Sequence, residues 1–197
     1  MTVYDMVELE LTAEHTYRNP FTDVSVRATF TSPTGKEATI AGFHDGGQTW
    51  RVRFRPQEAG EWGYRVASEP ADPGLSAEGM VRAVPVERPR LLRCTPGENW
   101  GFTYSDGEPY FALGETFYNL FGAAFCGVDV DTLLRRRAEQ GFNFFRCRLS
   151  VSPQHPGTPP NQWETRSTWP WGGTREQPQL DRLNVERYPL LSRIGDR

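Results

Sequence analysis

The chain has 197 residues, 37% of them hydrophobic and 13% aromatic, which suffices for one or two domains with real cores and excludes a disordered class. With 22 basic residues against 25 acidic ones the formal net charge is −3, so there is no electrostatic case for nucleic acid as a partner. Three cysteines, Cys94, Cys126 and Cys147, are odd in number and lack ligand spacing, so neither a disulfide framework nor a zinc site is expected.

The opening, "MTVYDMVELEL", has no basic and then apolar leader, and no stretch is apolar enough to span a bilayer. No membrane partner is expected. The expected location is cytoplasmic, with an extracellular one left open if the N-terminus is incomplete. Residues 1–85 read as strands and turns. "MVELEL" alternates and "RNPF" turns the chain; "DVSVRATFTSP" alternates again and ends at "PTGK". "EATIAGFHDGG" and "QTWRVRFRP" predict two further strands joined at the "DGG" turn. In the second, Trp50, Val52 and Phe54 share one face and Arg51, Arg53 and Arg55 the other, the one-face-wet pattern of an antiparallel sheet. "GEWGYRVASE" and "LSAEGMVRAV" complete six or seven short strands. The spacing predicts an immunoglobulin-like β-sandwich over 1–85.

The prolines of "PVERPRLLRCTPGEN" mark a linker, with the boundary near Val86 and a second domain over 86–197. "WGFTYSDGEPYFALGETF" predicts a hairpin around Asp106 and Gly107 that feeds a strand from Tyr110 to Gly114. "DVDTLLRRRAEQG" predicts a helix, with an Asp near its start, a Gly just past its end, and Leu133, Leu134 and Ala138 at helical spacing. "GFNFFRCRLS" predicts the next strand. Strand, helix and strand in this order form a βα unit of a parallel sheet, so the fold class is multidomain, all-β followed by α/β.

That last strand carries Phe144, Arg146 and Arg148 on one face and Phe145, Cys147 and Leu149 on the other. Charged side chains are rarely buried unless paired. An open sheet covered by helices on both faces gives Arg146 no host, whereas a closed barrel does, because its inner face carries polar groups near the C-terminal mouth. Phe111, Leu113 and Glu115 share a face of the preceding strand, which would bring Glu115 to that mouth beside Arg146. An exposed sheet edge with solvated arginines is the alternative.

"VYDMVELELTAEHTYRNPFTDVSVRATFTSPTG" followed by "GFHDGGQTWRVRFRPQEAGEWGYRV" resembles the N-terminal β-sandwich domain, DUF5060, found ahead of bacterial glycoside hydrolases. "DGEPYFALGETFYNLF", "RRRAEQGFNFFRCRL" and "NVERYPLLSRI" resemble the opening of the barrel that follows it. That barrel is the DUF4038 and apiosidase-like group of (β/α)8 glycosidases. Gly114, Glu115 and Thr116 stand where the family has "LGDT", with Glu in place of Asp. Gly141 to Arg146 match its second-strand motif, and Trp169 to Thr174 its aromatic, glycine-rich loop. The resemblance implies a carbohydrate partner and a glycoside hydrolase family. A TIM barrel takes about 250 residues, more than twice the stretch from Val86 onward. The resemblance therefore implies an incomplete barrel, a truncated glycosidase whose acid/base and nucleophile, glutamates near the ends of the fourth and seventh strands, lie beyond Arg197.

No catalytic residue is assigned on this reading. The substrate-binding candidates are Glu115, Arg146, Arg148, Trp169, Trp171 and His155. Glu115 is either a substrate contact or a structural partner. Trp163, Trp169 and Trp171 fall in a proline-rich loop and either stack on sugar rings or pack beneath it; Glu164 lies in the same loop. His155 in "SPQHPG" either bonds a sugar hydroxyl or is solvated. Asp129 and Asp131 suit a helix N-terminus, and Asp45 a turn. Arg51, Arg53 and Arg55 form a solvated face, with a stripe for acidic glycans as the alternative. No "GxxxxGK", "GxGxxG", "HExxH" or "GxSxG" is present, so no cofactor or metal is expected. The competing class is a non-catalytic carbohydrate-binding or structural β-sandwich module.

Overall fold

The structure is a computed structural model that describes residues 1–86, 91–95, 97, 101–148, 170–174 and 177–185. The chain divides into two compact units, Met1–Tyr110 and Phe111–Arg197.

In the first unit, seven strands form two antiparallel sheets. They are β1 (Val7–Thr12), β2 (Ser25–Thr31), β3 (Glu37–Ala41), β4 (Phe43–His44), β5 (Thr49–Phe54), β6 (Gly60–Glu69) and β7 (Ala77–Ala83). One sheet has the order β1-β5-β4, the other β3-β2-β6-β7. Each strand buries alternate residues, and the two inner faces meet in one core that includes Val7, Leu11, Val52, Phe30, Trp62 and Val66. Phe30 of one sheet stacks on Phe54 of the other, ring centroids 4.0 Å apart, and Trp62 meets Phe54 at 4.9 Å. Phe30 and Val52 are wholly out of water.

The single strand expected across "EATIAGFH" is two. β3 belongs to one sheet and β4 to the other, with the switch at Gly42. A Cβ on Gly42 would lie 3.0 Å from Val26 and 3.2 Å from Val52, one residue from each sheet. The sheets approach too closely there for a side chain, so glycine lets the chain cross between them.

The sandwich strands end at Ala83, and the unit continues to Tyr110. The expected linker contains β8 (Leu92–Cys94), which pairs with β9 (Phe102–Tyr104). The turn at Asp106 and Gly107 is present, but the returning segment stays with β9: Tyr104 N donates to Glu108 O at 2.8 Å and Tyr110 N to Phe102 O at 2.9 Å. The strand expected over Tyr110–Gly114 consequently begins where it was to end.

The second unit contains β10 (Gly114–Phe117), α1 (Leu120–Phe125), α2 (Val130–Glu139), β11 (Phe144–Cys147), β12 (Trp171–Gly173) and β13 (Pro178–Leu183). Asp129 caps α2, its Oδ1 accepting from Thr132 N at 3.0 Å and its Oδ2 from Thr132 Oγ1 at 2.6 Å. Gly141, at φ +87°, ends it. β10 and β11 run parallel, so the predicted βα unit is present. The short α1 and the antiparallel β12–β13 hairpin were not read from the sequence. Among the described residues the parallel sheet has two strands and is not closed into a barrel.

Candidate functional site

The register of the parallel pair sets which side chains share a face: Gly114 lies beside Phe144, Glu115 beside Phe145, Thr116 beside Arg146 and Phe117 beside Cys147. Phe117, Phe145 and Cys147 pack against Leu120, Phe121, Ala123 and Val130 of the two helices. Burial among these apolar groups raises the Cys147 thiol pKa. By parity the opposite face carries Gly114, Thr116, Phe144 and Arg146. A Cβ on Gly114 would stand 2.4 Å from the Phe144 ring, so that ring lies directly over the glycine.

This register corrects the expected pairing of Glu115 with Arg146. Phe117 must face the helices to enter their core, so Glu115, two residues earlier, faces them too. There it meets Arg137 of α2, with Nε 2.6 Å from Oε2 and Nη2 donating to Oε1 at 3.4 Å. Arg137 Nη1 also donates to Gln140 Oε1 at 2.9 Å, and its guanidinium lies 5.4 Å from the Phe142 ring centroid. Glu115 is thus an internal partner that ties β10 to α2. Arg137 was missed in the sequence, although Val130, Leu133, Leu134 and Arg137 form one helical stripe that signals its sheet-facing position.

The two arginines behave differently. Arg146 is exposed on the face away from the helices, with no ion partner among the described residues. Arg148 follows β11 directly, and its guanidinium carbon lies 4.8 Å from the Tyr118 ring centroid. Tyr118, just past β10, was not singled out as a site residue. Thr116 and Arg146 share the face of the parallel pair away from the helices, and Tyr118 and Arg148 directly follow the two strands at their carboxyl end, where α/β folds place ligands.

Trp171 lies in β12 opposite Leu183 and is half-buried. Trp169 and His155, with Trp163 and Glu164, lie outside the described residues.

The sandwich arginines are compensated. Arg51 Nε is 2.5 Å from Asp45 Oδ2 and Nη2 is 2.7 Å from Glu10 Oε2, while Nη1 bonds Glu8. Arg53 Nε donates to the other oxygen of Glu8 at 2.7 Å, and Arg55 Nη1 to Tyr4 O at 2.8 Å. Asp45 is therefore an ion partner as well as a turn residue. Its neighbour His44 packs on Trp50, centroids 4.7 Å apart, with Nε2 3.1 Å from Gly47 O.

The profile of a family described as a domain of unknown function, DUF5060, matches residues 1–69, where the sequence resemblance placed it. No curated protein matches the chain. Among solved structures it is similar to a crystal structure from Bacteroides vulgatus ATCC 8482 described as "a putative glycoside hydrolase", with 24% identity, a TM-score of 0.74 and coverage of 99% of this chain. This chain spans 38% of that one, and the likeness is one of fold.

Proposed function

We propose that the chain is the N-terminal portion of a carbohydrate-active enzyme. An immunoglobulin-like sandwich precedes the first βα elements of a (β/α)8 glycosidase barrel, and the open face of β10 and β11 contributes to its glycan site. The observation that carries the reading is the parallel β10–β11 pair, with helices on one face, Thr116 and Arg146 on the other, and Tyr118 and Arg148 in contact just past the strand ends. Its likeness of fold over nearly the whole chain to a structure described as "a putative glycoside hydrolase" supports the same class. Trp171, with Trp169 and His155, is proposed to complete the glycan contacts.

Glycoside hydrolysis by the usual route needs two carboxylates flanking the scissile bond. In the described part of the second unit, Glu115 is held by Arg137 and Asp129 by the first turn of α2. We propose, beside this, that the 197-residue chain does not hydrolyse glycosides by itself. Assays on aryl glycosides and oligosaccharides test this: no turnover above a mock preparation is expected, and turnover abolished by Glu115→Gln would overturn it. A non-catalytic glycan-binding sandwich is less favoured, because the outer face of the β1-β5-β4 sheet presents Phe43 among paired charges rather than a strip of aromatics.

A further inference from the structure

We infer that β7 is a docking edge for a second copy of this chain: two sandwiches join β7 to β7, antiparallel, about a two-fold axis at Met80. This contact is independent of glycan binding by the second unit.

β7 is the last strand of the β3-β2-β6-β7 sheet, with β6 on one side and no strand on the other among the described residues. The N-terminal segment meets the chain just past the end of β7, where Val84 N donates to Met1 O at 3.0 Å and Val84 O accepts from Val3 N at 2.9 Å. From Ala77 to Ala83 the register against β6 is unbroken, and the strand has no proline to blunt its edge. The unpaired N–H and C=O groups of such an edge are a template for another strand.

The side chains select the occupant. Glu78, Met80 and Arg82 alternate on the outer face of the sheet, where Met80 is 65% exposed. In antiparallel self-pairing centred on Met80, Glu78 stands opposite the partner's Arg82 and Arg82 opposite the partner's Glu78, with the two Met80 side chains meeting between them. Opposite charges and apolar pairs placed directly across two strands attract. β6 extends the pattern, because Glu78 lies beside Arg65 and Arg82 beside Glu61. Across the joined sheets one row then alternates in sign: Arg65, Glu78, the partner's Arg82, the partner's Glu61. On the core side Ala77 meets the partner's Ala83 and Gly79 the partner's Val81, small side chains that suit close strand approach.

The other sheet edges lack this symmetry. Self-pairing of β1, in the registers that keep its faces and pair most of its length, sets Glu8 or Glu10 against a glutamate of the partner, which repels. β3 carries one charge, Glu37, and β4 has only two residues.

Sedimentation equilibrium of the intact chain tests the contact, with Glu78→Arg and Arg82→Glu as variants whose folding is checked by circular dichroism. A seven-residue strand edge is a small interface, so the native chain is expected to show a weak, micromolar monomer–dimer equilibrium. Either substitution alone sets like charges opposite one another at both symmetric positions, and is expected to weaken dimerisation at least about tenfold. An equimolar mixture of the two variants again places opposite charges across the edge, and is expected to associate within about threefold of the native chain. A monomer at every concentration leaves the edge to a strand of another protein or to water, and overturns the inference. A dimer that neither substitution weakens, or variants that stay apart when mixed, overturns it equally.

Discussion

Asp72 has its side chain fully removed from water, an expensive position for a charge. Burial by itself would raise its pKa. Four donors outweigh that: the backbone N–H groups of Glu14, His15 and Gly74 at 2.9–3.0 Å, and the Tyr17 hydroxyl at 2.9 Å. The carboxyl pKa falls from 3.8 to about 2, so the folded state prefers the ionised form. A depressed carboxylate contributes stability that is fully present above its unfolded pKa and lost as pH falls through the folded one. Acid unfolding is therefore expected to show a limb between about pH 4 and pH 2 that Asp72→Asn removes. At neutral pH, Asp72→Asn is expected to cost roughly 2–4 kcal/mol, because an amide cannot accept from all four donors and brings its own N–H groups. Urea denaturation at several pH values measures both effects.

At the scale of elements, two features show where the sequence was and was not legible. Alternation gave β1, β2, β5, β6 and β7 close to their observed limits, since one wet and one buried face leave a period-two trace. The same rule missed the break at Gly42, because residues on either side continue to alternate while the backbone changes sheets. Its signal is steric rather than periodic. Gly42→Val would force a side chain into Val26 and Val52, and is expected to destabilise the fold by roughly 1–3 kcal/mol, with a lowered urea midpoint as the readout. The helix α2 was legible from its cap, its apolar spacing and its terminal glycine. The face of Glu115 was not. The strand was placed over 110–114, so Glu115 fell past its end and its orientation rested on residues outside β10. Phe117, demanded by the helix-side core, is what fixes it. A double-mutant cycle with Glu115→Gln and Arg137→Met is expected to give a favourable coupling of about 1 kcal/mol, as a part-exposed ion pair should. Zero coupling would mean that the pair does not tie β10 to α2.

At the scale of the whole molecule, each unit has its own core and each leaves some large apolar side chains in water. The sandwich closes its apolar faces on one another. In the second unit Phe111 is 80% exposed, Phe144 46% and Leu180 64%, and a cleft of about 450 Å³ beside α2 is lined by Leu134, Ala138, Phe142 and Phe145. Exposed apolar surface of this kind invites association. Limited proteolysis is expected to release a β-rich piece that ends near Tyr110, where the first unit ends, and a helical spectrum for that piece would contradict the sandwich. The central claim is that glycan recognition belongs to the open face of the parallel pair rather than to the sandwich. Isothermal titration of a glycan panel against the intact chain and against residues 1–110 tests it most directly. The account predicts binding by the intact chain that is weakened by Arg146→Gln and absent from 1–110; binding that resides wholly in 1–110 would contradict it.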